Sequence, residues 1–320
     1  MAFPNITDIV TTTIESRSGV IADNVTKNNA LLTRLKQKGK VKTISGGSII
    51  YQELSYAENG NFGWYSGYDL LPVAAQDVLS AAQFSLKQAA VPVVVSGLEK
   101  LQNSGKEQML DLVESRMEVA EATMENKMAE GIYSDGTGYG GKQLTGLQAA
   151  IIAVPTSGVY GGIDRATWTF WRNQASSTGA LTAANVQARM NNLWASQVRG
   201  KDKPDLIVFD TNIWATFMAS LQPLQRFSDP KMAELGFTTI KFMDADVVLD
   251  GGLGGYAPAN TGYFLNTNYL FFRPHKDRNM VPLSPNARVS TNQDAEVSII
   301  AWAGQLTTSN LSLQGFFSGS

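Results

Sequence analysis

The stretch SGKEQMLDLVESRMEVAEATMENKMAEGIY, residues 104–133, constrains the fold more than any other part of the chain. Met109, Val113, Met117, Ala120, Met124, Met128 and Ile132 recur at spacings of three and four, which aligns them along one side of a helix. Ser104 and Glu107 have the spacing of a capping box at its start, and no proline interrupts the run. About 28 residues at ~1.5 Å each make a rod of ~42 Å. Glu107, Asp111, Glu114, Glu118, Glu121 and Glu125 are expected on the opposite, charged face. The methionine stripe is read as the core-facing side of this helix, because methionine fills irregular apolar gaps.

The segment before it is unusual. GGSIIYQELSY reads as a strand, AENGNFGWYSGYD as a loop and SAAQFSLKQAAVPVVVS as a returning strand. In the last of these, Ala82, Phe84 and Leu86 alternate with Gln83, Ser85 and Lys87. A strand of ~12 residues at ~3.3 Å each spans ~40 Å. An isolated two-stranded ribbon is marginal in water, so this one must lie on something else. Its tip places Phe62, Trp64, Tyr65 and Tyr68 among glycines and asparagines, which is turn chemistry carrying interface side chains.

Charge is segregated across the same region. Residues 43–86 hold no lysine or arginine but four acids, Glu53, Glu58, Asp69 and Asp77. Just before them, Arg34, Lys36, Lys38, Lys40 and Lys42 place five positive charges in nine residues. The basic run has two readings. It is a solvated helix end favoured by the helix dipole, or it meets the acidic arm of a neighbouring subunit.

Residues 1–38 read as an extended arm with two short helices, the second (NVTKNNALLTRLKQKG) ending at Gly39. Residues 146–267 read as an α/β block, with helices near 165–176, 183–198 and 211–222 and strands at DLIVFD, FTTIKFM and ADVVLD. GYFLNTNYLFFRPHKDRNMVPLSP and AEVSIIAWAGQLTTSNLSLQGFF read as closing β ribbons.

Several chemistries find no support. Among 320 residues there is no cysteine, and the net charge of −2 gives no bulk attraction to nucleic acid. The start lacks a signal-peptide pattern, so the N-x-S/T sequons at Asn5, Asn24 and Asn310 are read as chance. No apolar run approaches the ~18 residues of a membrane span. GTGYGGKQ, residues 136–143, matches G-x-x-x-x-G-K, but Gln143 stands where a P-loop needs Ser or Thr. The long helix also precedes these glycines instead of coming after them. His275, the single histidine, is expected in a solvated loop. Asp244, Asp246 and Asp250 miss calcium-loop spacing and read as strand and turn residues. No catalytic, cofactor or metal residue is assigned.

An arm, a long hairpin, one unbroken helix, an α/β block and closing ribbons, in that order, resemble the major capsid proteins of tailed bacteriophages of the Hong Kong 97 type. NNALLTRLKQKGKVKTISGGSIIYQELSYAENG resembles the arm-to-loop passage of that family, and residues 96–137 resemble its spine helix with a glycine-rich exit. GYFLNTNYLFFRPH and VSTNQDAEVSIIAWAGQLTTSNLSLQGF resemble its closing strands.

The resemblance implies an α+β capsid fold. Residues 1–42 would be the N-terminal arm, 43–88 the extended β-hairpin loop, 89–145 and 268–320 the peripheral domain with the spine helix, and 146–267 the axial domain. It implies a non-enzymatic shell subunit, assembled in the bacterial host cytoplasm into the icosahedral virion capsid around double-stranded DNA. The implied partners are further copies in hexameric and pentameric capsomers, a portal protein, a separate scaffolding protein, a decoration protein, and packaged DNA bound without sequence specificity. Phe62, Trp64, Tyr65 and Tyr68 would lie over a neighbouring subunit. Some family members crosslink through a loop lysine. Residues 43–86 have none, so non-covalent contacts alone are expected. The alternatives are the shell subunit of a cellular encapsulin-like nanocompartment and, in another class, a nucleotide-using enzyme built on residues 136–142.

Overall fold

A computed structural model describes residues 29–102, 106–221, 239–251, 255–283, 288–289 and 294–319. The first of the two expected arm helices and the Ser104–Glu107 capping box lie outside the described residues, as do the side chains of Met109 and Val113.

Helix α1 (Ala30–Gln37) starts where the Asn29 side chain accepts the backbone N–H of Leu31 and Leu32. It ends at Gly39, whose φ of +64° is the left-handed conformation that glycine tolerates best. Its buried face carries Ala30, Leu31, Leu32 and Leu35. Strands β1 (Ile49–Ser55) and β2 (Leu79–Ser85) then form the hairpin, antiparallel from Ile49 opposite Ser85 to Ser55 opposite Leu79. The ladder is seven residues long, shorter than the ~12 expected. The returning segment breaks at Leu86 into two strands, because β3 (Lys87–Ser96) leaves the hairpin for another sheet.

Helix α2 (Lys106–Tyr133) is the long rod. Met117, Ala120, Met124, Met128 and Ile132 are all buried. At ~1.5–3 kcal/mol for each large apolar side chain, that face anchors the helix. Glu118 is exposed, but Glu121, expected on the charged face, is buried and engaged in an interaction. The buried stripe is therefore wider than the methionine spacing alone indicates.

A six-stranded sheet runs in the order β4 (Gln174–Ser176), β12 (Gly315–Ser318), β8 (Thr261–Leu265), β5 (Leu206–Phe209), β7 (Ala245–Leu249), β6 (Thr239–Phe242). Only the β4–β12 and β5–β7 pairs are parallel. Its central strands are continuous apolar runs because both faces are covered. Ile207, Phe209, Val247 and Phe264 meet helices α3 (Val186–Gln197) and α4 (Thr211–Leu221), while Leu206, Val208, Val248 and Tyr263 join the core under the spine helix. A second sheet is built on β11 (Ala295–Thr308), which pairs with β9 (Leu270–Pro282), β10 (Arg288–Val289) and β3. The closing segment 268–320 is thus shared between two sheets, since β12 returns to the first.

Two local expectations fail. Residues 165–176 form no α-helix but a single 3-10 turn (Thr169–Trp171) followed by β4. The Asp164 carboxylate takes Ala166 N–H and the Thr167 hydroxyl, both at 3.0 Å, which stabilises a turn in place of a helix. His275 lies in β9 and not in a solvated loop, half-buried and bridged to Ile44.

Candidate assembly interface

The base of the hairpin is held firmly and its tip is not. Ile50, Leu54, Ala82 and Phe84 form the buried inner face. Phe84 meets Tyr160 edge-on with ring centroids 5.3 Å apart, and the Trp171 indole N–H donates to the Tyr160 carbonyl at 2.8 Å. Tyr56 stacks on Phe170 at 5.5 Å. The Gly161 carbonyl accepts Gln83 N–H at 2.8 Å; Gly161 has φ +61°, and a Cβ there would come within 3.1 Å of Ala82 and Phe84. The ribbon is therefore not isolated, because its inner face belongs to the main core.

Beyond Tyr56 the chain leaves that seat. Tyr56 N–H donates to the Val78 carbonyl at 3.1 Å, and the Tyr56 hydroxyl donates to the Asp77 carbonyl at 2.7 Å. These bonds close the neck. Further out, Asn61 side-chain N–H donates to the Ala74 carbonyl, and Ser66 N–H donates to the Asp69 carboxylate at 2.9 Å. The loop is thus shaped by its own polar groups while its apolar groups face outward. Phe62, Trp64, Tyr65 and Tyr68 are 76%, 94%, 66% and 106% exposed. Leu70, Leu71 and Val73 are exposed beside them, and the sequence reading passed over these. The run LLPV, apolar without alternation and interrupted by proline, was the available signal. Seven large apolar side chains are thus exposed within one loop, more than isolated surface residues usually account for.

The basic segment divides in two. Arg34 pairs with Asp205 at 3.1 Å and Asp246 at 3.2 Å, and Lys38 pairs with Asp205 at 2.9 Å. These two cations are therefore bound within the chain, not held out for a neighbour. The reason is that α1 packs where β5 and β7 begin, far away in sequence. Burial alone would raise the Asp205 pKa, but bonds from Lys38 and Thr267 outweigh it and hold the carboxyl below its usual value. Lys36 and Lys42 are exposed and Lys40 is half-buried. Lys40 and Lys42 lie over the Phe271 ring at 5.1 and 5.3 Å. Glu53, Glu58, Asp69 and Asp77 are all exposed along the hairpin and loop.

A second buried network ties the spine helix to the first sheet. The Tyr133 hydroxyl donates to Asp250, whose other oxygen accepts Tyr256 N–H at 3.3 Å. Burial raises the Asp250 pKa, and the Tyr133 and Tyr256 bonds oppose the rise only in part.

The glycine run that resembled a P-loop is a turn after the spine helix, with Tyr139, Gly140 and Gly141 at positive φ. It joins no strand to a helix. Among the described residues no group of three His, Asp or Glu could hold a metal ion, and no helix is long and apolar enough to cross a membrane.

No protein-family model and no curated protein matches the chain. Solved structures do. The capsid asymmetric unit of cyanophage A-1(L) superposes with a TM-score of 0.64 at 18% identity, covering 88% of this chain and 92% of that one. The capsid of an empty GTA particle gives a TM-score of 0.55 at 13% identity, covering 89% of each chain. The capsid of Myoviridae phage XM1 gives 0.50 at 14% identity, covering 89% of this chain and 92% of that one. The chain has the fold of phage capsid subunits, the fold that its sequence resemblance implied.

Proposed function

We propose that this chain is the major capsid subunit of a tailed bacteriophage, a non-enzymatic protein that assembles into the icosahedral shell around the double-stranded DNA genome. The observation that carries the reading is the arm. A hairpin with a buried base and an outward apolar tip has no use in a monomer, and it sits on a fold shared with capsid subunits along nearly its whole length. In this reading residues 43–88 clasp a neighbouring subunit, residues 89–145 and 268–320 apart from β12 form the peripheral domain, and residues 146–267 together with β12 form the axial domain that meets its symmetry mates at capsomer centres.

Each arm makes the same contact on every equivalent neighbour, so modest affinities repeat into a stable closed shell. In the same reading, hexameric and pentameric capsomers, a portal protein and a separate scaffolding protein complete the assembly. With no cysteine in the chain and no lysine in residues 43–86, the contacts are non-covalent. The test is to express the full chain in bacteria, alone and with the neighbouring phage head genes, and sediment the lysate. Particles of megadalton mass built from this chain support the reading. A purely monomeric protein under all these conditions contradicts it.

A further inference from the structure

Three cations surround one phenyl ring at the foot of the hairpin. The segment after α1 runs parallel to β9, with Lys42 N–H on the Phe272 carbonyl at 2.9 Å and Phe272 N–H on the Lys40 carbonyl at 3.1 Å. Val41 and Phe272 turn toward the core. Lys40, Lys42 and Arg273 gather instead at Phe271, at 5.1, 5.3 and 5.5 Å from its ring centre. Arg273 bonds to neutral oxygens, Gln52 Oε1 at 2.6 Å and Thr307 Oγ1 at 3.1 Å. Among the described residues no carboxylate pairs with Lys40, Lys42 or Arg273, although Arg34 and Lys38 close by have theirs. Attraction to the ring face offsets part of the mutual repulsion. Burial first, and then the charges of Lys42 and Lys38, lower the Lys40 pKa. The site is three cations short of counter-charge.

The matching anions sit on the same chain but do not reach it. Glu53, Glu58 and Asp77 are exposed, and among the described residues no cation pairs with them. On β1 it is Gln52 that meets Arg273, and strand alternation points Glu53 to the other face. Glu58 and Asp77 lie at the neck, past the last rung between Ser55 and Leu79, up to ~20 Å along the ribbon from Gln52. We infer that the Lys40–Lys42–Arg273 site of each subunit takes the Glu58 and Asp77 carboxylates of a second copy's arm. This rests on the shell reading, in which every arm crosses a neighbour. A nucleic-acid backbone would supply anions too, but the chain's net charge of −2 gives it no bulk attraction, whereas its own arm offers acids without a base.

The test is charge reversal in the full chain, with assembly followed by light scattering. Lys40→Glu with Lys42→Glu should slow assembly at low salt by at least about tenfold, and Glu58→Lys with Asp77→Lys should do the same. Combining all four in one chain should restore the rate. In an equal mixture the two doubly reversed proteins should associate faster than either does alone, because their opposite charges can meet only between unlike chains. All should converge near 1 M salt, where the Debye length is ~3 Å. The milder pair Lys40→Gln and Lys42→Gln, with an unchanged melting temperature, separates lost pairing from lost folding. The inference is overturned if the reversed proteins assemble at the wild-type rate, or if the fourfold variant and the mixture stay as slow as the separate reversals. It is equally overturned if Lys40→Glu with Lys42→Glu abolishes binding to a labelled DNA duplex while empty shells form normally. Failure of the wild-type chain to form particles at all would remove the shell reading itself, and this inference with it.

Discussion

Replacing Phe62, Trp64 and Tyr65 together with serine separates folding from assembly. In the folded chain these side chains are 76%, 94% and 66% exposed, and Phe62 lies edge-on to Trp64 at 5.6 Å. Exposed substitutions change stability by about 0.5 kcal/mol or less. The subunit should therefore melt within a few degrees of wild type. At a contact the same groups matter far more. Large aromatics bury ~150–250 Å² each, so three cover ~500 Å², worth ~12 kcal/mol at ~25 cal/mol per Å² before any cost of association. Measured anchor residues give ~2 kcal/mol each after those costs. The triple variant should thus lose ~6 kcal/mol per arm contact, a factor above ~10⁴ in each contact constant. Light scattering reads the loss of assembly and a thermal melt reads the retained fold. Wild-type assembly by the triple variant would refute the clasp. A melting temperature lowered by more than ~10 °C would show that the tip belongs to the subunit's own core.

Three further outcomes depend on particular side chains. Met117→Asp puts a charge at a site with 0% exposure and should cost several kcal/mol, while Glu118→Lys one position on should cost less than ~0.5 kcal/mol; equal melting temperatures would contradict the assigned faces. Asp205 has a folded pKa below its unfolded one, so its stabilisation is present above the unfolded value near ~4 and is lost as pH falls through the folded value. Asp205→Asn should therefore lower stability by ~2 kcal/mol at pH 7, and urea titrations should show the gap closing in strong acid. Purified particles boiled in denaturant should run as one band near 34.6 kDa, and a ladder of covalent multimers would reveal a lysine donor outside residues 43–86.

The spine helix was legible because its spacing is long and uninterrupted, and Met117, Met124 and Met128 report the buried face unaided. Gly39 was legible because the end of α1 needs a positive φ. Strands β5 and β7 were legible as short apolar runs flanked by aspartates. Elsewhere, tertiary contacts override local pattern. Residues 165–176 look helical, yet the Arg165 guanidinium is drawn inward to the Ala149 and Ala150 carbonyls at 3.0 and 2.6 Å, and Asp164 fixes a turn. The charge run from Arg34 to Lys42 gave no hint that Arg34 and Lys38 are spoken for by Asp205 and Asp246, since those acids lie some 170 residues or more away. Nor could spacing show Arg273 beside Lys40 and Lys42, because a parallel bridge brings them together. The arm's aromatic tip was visible as a composition, but Leu70, Leu71 and Val73 emerged only once the loop was seen to turn them outward.

Cryo-electron microscopy of particles assembled from the full-length chain tests the central claim most directly. The account predicts a closed polyhedral shell in which residues 56–78 of each subunit lie on an adjacent copy, with Phe62, Trp64 and Tyr65 covered by it. A shell whose arms fold back on their own subunits, or purified chains that never close into particles, would contradict it.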